Sequence, residues 1–131
     1  MAQVKQPTIV EKMAINDLLS RSAYALDHRE VDMLANCFSV DATFKLRIAD
    51  GDLIGPFEKR VGIMQLMTDS MESQTDKRKH VISNVFFLGA DASGISVKSN
   101  LTLLATENDQ IQLVSAGIYS DVVDYIDGEW Q

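Results

Sequence analysis

Two histidines, His28 and His80, are the only imidazoles in the chain and its first candidates for acid–base chemistry. A free imidazole titrates near pH ~6.5 and therefore accepts a proton readily at neutral pH. His80 opens the strand-like stretch "HVISNVFFLG" directly after the basic run "KRK". It is either a general base inside a pocket or a polar residue at an exposed strand edge, and the residues alone leave both possibilities open.

Asp27 lies near the end of the first predicted helix, one position after Leu26, so its side chain is about 100° around the helix from the apolar stripe. It is a solvated helix-end carboxylate, a cap for the next helix, or a carboxylate that faces a pocket. Tyr24, one turn earlier, is a helix-edge aromatic or a phenol that would meet a developing negative charge. His28, on the charged corner "DHRE", is predicted to lie on the surface.

Alternation along the predicted strands adds three further candidates. With a period of two, Asn84 shares a face with His80, where its amide would either bind a substrate oxygen or make structural hydrogen bonds within the protein. On the last strand, Tyr119 and Asp121 share one side, which is either a pocket wall or an exposed surface. The candidate substrate-binding residues are therefore Tyr24, Asn84, Tyr119 and Asp121.

The elements that must position these residues change from helical spacing to strand alternation along the chain. A short hairpin, marked by the turn signal "DGD", precedes the third helix. Apolar stripes are predicted on the first helix (Val10, Met13, Ala14, Leu18) and the third (Val61, Met64, Met67). The predicted helices are Ile9–Leu26, Val31–Phe38 and 58–73, and the longer strands are Val81–Leu88, Ile95–Thr106 and Ile111–Ile126.

This order predicts an α+β fold in which three helices cover the concave face of a curved, mixed but mostly antiparallel sheet. Long strands in a small sheet must twist and bend, and a bent sheet roofed by helices leaves a pocket. No linker or repeat interrupts the chain, and 131 residues suit one core, so we expect a single domain over residues 1–131.

Charge and composition exclude several classes of partner. A formal net charge of −7 repels phosphate backbones and anionic lipids, so we expect neither nucleic acid nor membrane as a partner. A single cysteine, Cys37, has no disulfide partner and no metal-ligand spacing, so we expect a cytoplasmic protein without a metal. The N-terminus lacks a secretory pattern, and no apolar run approaches the roughly 20 residues that span a bilayer.

Four stretches resemble the NTF2-like (cystatin-like) superfamily in its SnoaL-like branch. They match the family's opening helices, the entry to its third helix, its histidine strand and its Gly-x-Tyr strand. Together they cover nearly the whole chain, and the resemblance implies a cone-shaped fold. The stretches are "AINDLLSRSAYALDHREVDMLANCFSVDATF", "GPFEKRVGI", "RKHVISNV" and "GIYSDVVDYIDGEW".

Within that superfamily, Asp27 with His80 resembles the pair in scytalone dehydratase and in the hexachlorocyclohexane dehydrochlorinase, where an aspartate orients a proton-abstracting histidine. The resemblance implies a cofactor-free lyase or isomerase that acts on a small hydrophobic molecule, and a homodimer formed through the sheet. The same features occur in relatives of ring-hydroxylating dioxygenase small subunits, which implies a non-catalytic ligand-binding or assembly module as the alternative. Many relatives have an arginine where this chain has Tyr125, so a cationic partner for a leaving group is missing.

Overall fold

The computed structural model describes residues 5–46, 51–126 and 129–131, and its elements follow the predicted order of helices and then strands. The turn predicted at "DGD" begins at Asp50, which lies outside the described residues, but the two strands beside it pair as an antiparallel hairpin. The elements are α1 (Ile9–Asp27), α2 (Val31–Ala35), β1 (Thr43–Leu46), β2 (Ile54–Glu58), α3 (Lys59–Ser73), β3 (Lys77–Asp91), β4 (Gly94–Glu107), β5 (Gln110–Val123), β6 (Tyr125–Ile126) and β7 (Glu129–Trp130).

Helix α1 begins at a capping box and ends at the corner that carries Asp27. The hydroxyl of Thr8 accepts a hydrogen bond from the backbone N–H of Glu11, and the Glu11 carboxylate accepts one from the N–H of Thr8. Both bonds satisfy donors that a helix N-terminus would otherwise leave unpaired. At the other end Arg29 takes a φ of 57°, so the chain turns away and leaves Asp27 as the last helical residue.

The apolar face of α1 differs from the predicted stripe at its N-terminal end. Ile15 and Ala25 are the buried residues, whereas Val10 and Met13 are 77% and 69% exposed. At 100° per residue, Val10 and Met13 lie roughly 140–160° around the helix from Ile15, so they cannot face the same sheet. The third helix shows a similar difference, because Ile63 is buried and Val61 is exposed.

Strands β3, β4 and β5 form one antiparallel sheet with β4 in the centre, and β1–β2 and β6–β7 form separate two-stranded pairs. The pairing shifts register twice between β3 and β4 and once between β4 and β5. Such bulges bend a strand and increase its twist. Helix α1 packs on the concave side of this curved sheet, as the sequence predicted for an α+β fold.

One bulge changes which residues of β3 face the helices. Asn84 takes a φ of 53° within the register shift that follows Ser83. The strict alternation predicted from the sequence is therefore wrong beyond this point, because the extra residue exchanges the two faces of the strand. Val85 and Phe87 pack into the core, whereas Phe86 is 53% exposed.

Two clusters of buried apolar side chains pack the helices against the sheet and against one another. One joins α1 to β4 and β5, and the other joins α1 to α2 and α3. Because Asp27 follows directly on the second cluster, packing fixes the position of its backbone. The buried members are Ile15, Ile95, Val97 and Val123 in the first cluster, and Ala25, Leu34 and Met71 in the second.

Candidate active site

Asp27 at the end of α1 and His80 on β3 are in direct contact. Oδ1 of Asp27 lies 2.5 Å from Nδ1 of the His80 ring. The same carboxylate also accepts the backbone N–H of His80, at 3.0 Å to Oδ1 and 2.9 Å to Oδ2. The side chains are only 7% and 13% exposed, respectively. Helix and strand thus meet through one carboxylate that binds both the backbone and the side chain of the same residue.

This contact determines which ring nitrogen of His80 is free. An ionised carboxylate only accepts hydrogen bonds, so Nδ1 is the protonated ring nitrogen and its N–H donates to Oδ1 of Asp27. Nε2 of the neutral ring then has an unprotonated lone pair and can accept a proton from another molecule. The Asp27 carboxylate would stabilise the imidazolium that results. The tautomer that Asp27 favours is therefore the one that a general base needs.

His80 lines a cavity of about 500 Å³ between the helices and the concave face of the sheet. This volume lies in the range of small-molecule sites, and the wall is predominantly apolar. Side chains of α1, α2 and α3 form the roof, and β1, β3 and β5 form the floor and sides. The lining includes Leu18, Leu19, Leu26, Leu34, Phe38, Phe44, Met67, His80, Ile82, Tyr119 and Asp121.

Tyr119 and Asp121 bring two further polar groups to this cavity from β5. They alternate with exposed residues and pair with Ser99 and Val97 of β4, so both face the helices. Burial raises the pKa of Tyr119 to about 12, with smaller contributions from the negative charges of Asp121 and Asp27. Burial also raises the pKa of Asp121. Both shifts favour the protonated, hydrogen-bond-donating forms.

Two other predicted substrate-binding residues lie away from the cavity wall. Tyr24 is 52% exposed, and its ring lies 4.4 Å, centroid to centroid, from that of His28. Asn84 is exposed at the bulge of β3, which separates it from the face of His80. The structure therefore pairs Asp27 with His80, places Tyr119 and Asp121 in the wall of the cavity that His80 also lines, and leaves Tyr24 and Asn84 out of that wall.

Several wall residues carried no signal of a site in the sequence. Phe38, Phe44 and Met67 belong to apolar patterns that a core would show equally well. Cys37 is half-buried, and its Sγ lies 3.4 Å from the carbonyl oxygen of Met33. Burial raises the pKa of this thiol. Predicting that these residues line a cavity requires the helix–sheet geometry, which periodicity does not contain.

A second cavity of about 380 Å³ lies on the other side of Leu18 and Cys37, which line both. It is bounded by α1, by the end of α2 and by Trp130. Among the residues that the structure describes, no group of three or more His, Cys, Asp or Glu side chains is arranged to hold a metal ion. The described helices also include none with the length and apolarity needed to cross a bilayer.

Comparison with known proteins identifies the family of this chain and solved structures with a similar fold. A family model for the SnoaL-like domain matches residues 7–131. A protein with a cystatin-like fold from Nostoc punctiforme aligns with a TM-score of 0.76 at 18% identity, covering 95% of this chain and 87% of that one. The β subunit of benzoate 1,2-dioxygenase from Burkholderia mallei aligns with a TM-score of 0.76 at 20% identity, covering 100% and 87%.

A third similar structure is ActVI-ORFA from Streptomyces coelicolor, with a TM-score of 0.76 at 20% identity over 91% of this chain and 89% of that one. No protein of curated function matches the sequence significantly. At these identities the structural likeness establishes the NTF2-like, cystatin-like fold and leaves the chemistry to the site. With the family model spanning residues 7–131, the chain belongs to the SnoaL-like domain family.

Proposed function

We propose that this protein is an enzyme that removes a proton from a carbon atom of a small hydrophobic molecule. His80 acts as the general base through Nε2, and Asp27 orients the ring and stabilises its protonated form. The electron pair left by the proton then forms a new double bond, either with loss of a leaving group or with return of the proton at another carbon. The reaction class is elimination or isomerisation.

The observation that carries this proposal is the contact between Asp27 and His80 at the wall of a largely apolar cavity. Three hydrogen bonds hold one carboxylate against one residue, so the ring has little freedom to leave its position. A positioned general base typically contributes ~10²–10⁴ in rate. A purely structural histidine would need neither a cavity nor an unoccupied second nitrogen.

The two histidines provide a matched pair of variants for the test. Wild type is screened with phenolic, terpenoid and chlorinated ring compounds, and turnover of any hit is compared in His80→Gln and His28→Gln. We expect His80→Gln to lower kcat by ~10²–10⁴ with little change in KM, because the lost interaction acts on proton transfer. His28→Gln, which changes an exposed ring outside the cavity, should retain wild-type kinetics.

Asp27→Asn separates orientation of the base from its presence. The amide oxygen can still accept one hydrogen bond, but it carries no charge to stabilise the imidazolium. We expect an intermediate loss of kcat, and a shift of its pH profile relative to wild type. Unchanged binding and turnover in His80→Gln would show that the proposed site is wrong.

A second candidate function is assembly, and the outer face of the sheet favours it. Apolar side chains of β3 and β5 point away from the helices and are 43–72% exposed. Strands of 14 or 15 residues are about 45 Å long, and the three of this sheet give a footprint of roughly 600 Å². That is close to the roughly 800 Å² per partner of a stable interface. The residues are Val81, Phe86, Leu113, Ile118 and Val122.

We propose that a second copy of the chain covers this face, giving a homodimer in which each cavity stays open on the helical side. Light scattering coupled to size exclusion should give a dimer for wild type and a monomer for Ile118→Lys. Met13→Lys, at an exposed apolar position on α1 and away from the sheet, is the matched control and should remain dimeric. A monomeric wild type would contradict the homodimer, and co-purification with a different subunit would favour the assembly role.

A further inference from the structure

The polar side chains of the cavity that His80 lines come from two separate parts of the sheet. His80 on β3 lies opposite Leu103 of the central strand, whereas Asp121 on β5 lies opposite Val97. These two positions on β4 are six residues apart, which is about 20 Å at roughly 3.3 Å per residue. Strands β3 and β5 also flank β4 on opposite sides. A ligand that meets both residues must therefore be elongated and must meet them with different parts of its structure.

The end of the cavity formed by Tyr119 and Asp121, here called the remote end, carries hydrogen-bonding groups that the described residues do not satisfy. Burial is the only cause of the raised pKa of Asp121, whereas hydrogen bonds from Ser93 lower that of the exposed Asp91. Burial and the charges of Asp121 and Asp27 raise the pKa of Tyr119, and no hydrogen bond contributes. Buried polar groups in folded proteins nearly always have a partner, so both groups are suited to meet one on a ligand.

Ser99 adds a third unsatisfied hydroxyl beside them. It lies on β4 directly opposite Tyr119 and is 1% exposed, and its Oγ has no hydrogen-bond partner among the described residues. Directly opposed residues of an antiparallel pair have Cβ atoms about 5 Å apart, so the two side chains are neighbours. The next residues on the same face of β4 are the apolar Val97 and Leu101. Unpaired polarity is thus confined to one short part of an otherwise apolar face.

A neutral hydroxyl group fits the remote end better than a charged group does. It can donate a hydrogen bond to an oxygen of Asp121 and accept one from the phenol of Tyr119. A carboxylate would meet an acidic side chain, and no described residue that lines the cavity is lysine or arginine. An ammonium would lose its hydration in a largely apolar cavity, where burial favours the uncharged form of Asp121.

We propose that Tyr119 and Asp121 form a hydroxyl-binding subsite at the end of the cavity remote from His80. The ligand is an elongated, largely apolar molecule whose terminal hydroxyl group, phenolic or alcoholic, binds there. The inference rests on the proposed function for the other end of the ligand, because it places the carbon that His80 deprotonates several bonds away from that hydroxyl. The subsite selects and orients the substrate and takes no part in bond breaking.

Binding of three biphenyl probes tests the subsite without any turnover. 4-Phenylphenol has a terminal hydroxyl group, 4-fluorobiphenyl has nearly the same shape without it, and 4-phenylbenzylamine carries an ammonium group. By isothermal titration calorimetry, we expect wild type to bind 4-phenylphenol at least about tenfold more tightly than 4-fluorobiphenyl, because the fluoro compound leaves buried polar groups unpaired. Equal affinity for these two probes, or tightest binding of the ammonium, would overturn the inference.

Two tyrosines provide a matched pair of variants. Tyr119→Phe removes only a hydroxyl group and should weaken binding of 4-phenylphenol by about five- to tenfold, with 4-fluorobiphenyl within about twofold of wild type. Tyr125→Phe is the control and should match wild type, because that ring is 58% exposed and lies against Trp130 outside the cavity wall. Asp121→Leu should also reduce the preference for the phenol. A preference that survives either change at the remote end would overturn the subsite.

His80→Gln separates this inference from the proposed function. It should keep the preference for 4-phenylphenol, and loss of that preference would place the hydroxyl beside the base and overturn the subsite. For a hydroxyl-bearing substrate, Tyr119→Phe should raise KM by about five- to tenfold and keep kcat within about threefold, the reverse of the result expected for His80→Gln. Turnover that survives His80→Gln would overturn the base and leave the binding results standing.

Discussion

Asp121 is a residue whose burial couples the stability of the fold to pH. A buried carboxyl resists ionisation, so the folded protein binds its proton more tightly than the unfolded chain does. This burial therefore costs free energy of folding once the solution is basic enough to remove the proton.

The pH dependence of stability follows from this difference. Between the ordinary pKa of 3.8 and the raised value in the folded state, the native protein holds more protons than the unfolded chain. The contribution of Asp121 is thus fully present below 3.8 and is lost as the pH rises through the folded pKa. We expect Asp121→Asn to be more stable than wild type at neutral pH, with the difference vanishing in acid.

Urea unfolding at a series of pH values measures this effect, with Asp109→Asn as the exposed control. A wild type that gains on Asp121→Asn as the pH rises from acid to neutral would contradict the raised pKa.

The contact between Asp27 and His80 could not be predicted from the sequence position of either residue. They are 53 positions apart, and composition or periodicity gives no reason to pair them. Resemblance to a family predicted the pair, and the geometry of α1 and β3 supplies its physical cause. Tyr119 and Asp121 were predicted from alternation alone, because β5 has no register shift between them.

At the level of elements, the bulge in β3 limits how far along the strand the alternation in the sequence predicts which face a residue occupies. Alternation predicts His80 and Ile82 on the inner face, but one inserted residue at Asn84 exchanges the faces that follow. No pattern of apolar residues marks that insertion, since both sets contain phenylalanine. The available signal is chemical: asparagine tolerates a positive φ better than most residues and is otherwise uncommon inside a strand.

This conformation allows a direct test of the bulge. Asn84→Gly should keep the native stability within about 1 kcal/mol, because glycine adopts positive φ without a Cβ clash. Asn84→Val should cost roughly 1–3 kcal/mol, because a β-branched side chain is strained there. Thermal unfolding compares the two, and Ser83→Val just before the bulge is the control for β-branching alone. Equal stability of Asn84→Gly and Asn84→Val would contradict the bulge at this residue.

Helix positions were predicted better than helix faces. The capping residues Thr8 and Glu11 mark the start of α1, and the first helical residue is the one predicted. The exposed positions Val10 and Met13 were assigned to the core because they are apolar, although apolar residues also occupy surfaces. Their angular position relative to Ile15, rather than their hydrophobicity, determines their exposure.

For the whole molecule, the arrangement of the two cavities makes Cys37 a reporter of occupancy. Its side chain lines both cavities, and it is the only cysteine in the chain, so a thiol reagent labels one position. Burial raises the pKa of the thiol and lowers the fraction of reactive thiolate at neutral pH. Labelling of the folded protein should therefore be slow.

We expect labelling by iodoacetamide to be several-fold faster in the unfolded chain than in the native protein, and to slow further when a ligand fills the larger cavity. Mass spectrometry of timed samples measures both rates. The control is the same ligand added to protein in urea, where it should have no effect. Native labelling as fast as that of the unfolded chain would contradict the burial of Cys37.

The double role of the Asp27 carboxylate has an evolutionary consequence. It accepts the backbone N–H of residue 80 whatever side chain that residue carries, so it contributes to the join between helix and strand independently of the imidazole. A lineage that abandons catalysis can exchange His80 freely, but losing Asp27 would leave a poorly solvated amide without its acceptor. We therefore expect relatives that have lost catalysis and serve only as structural subunits to retain the aspartate after the histidine has been replaced.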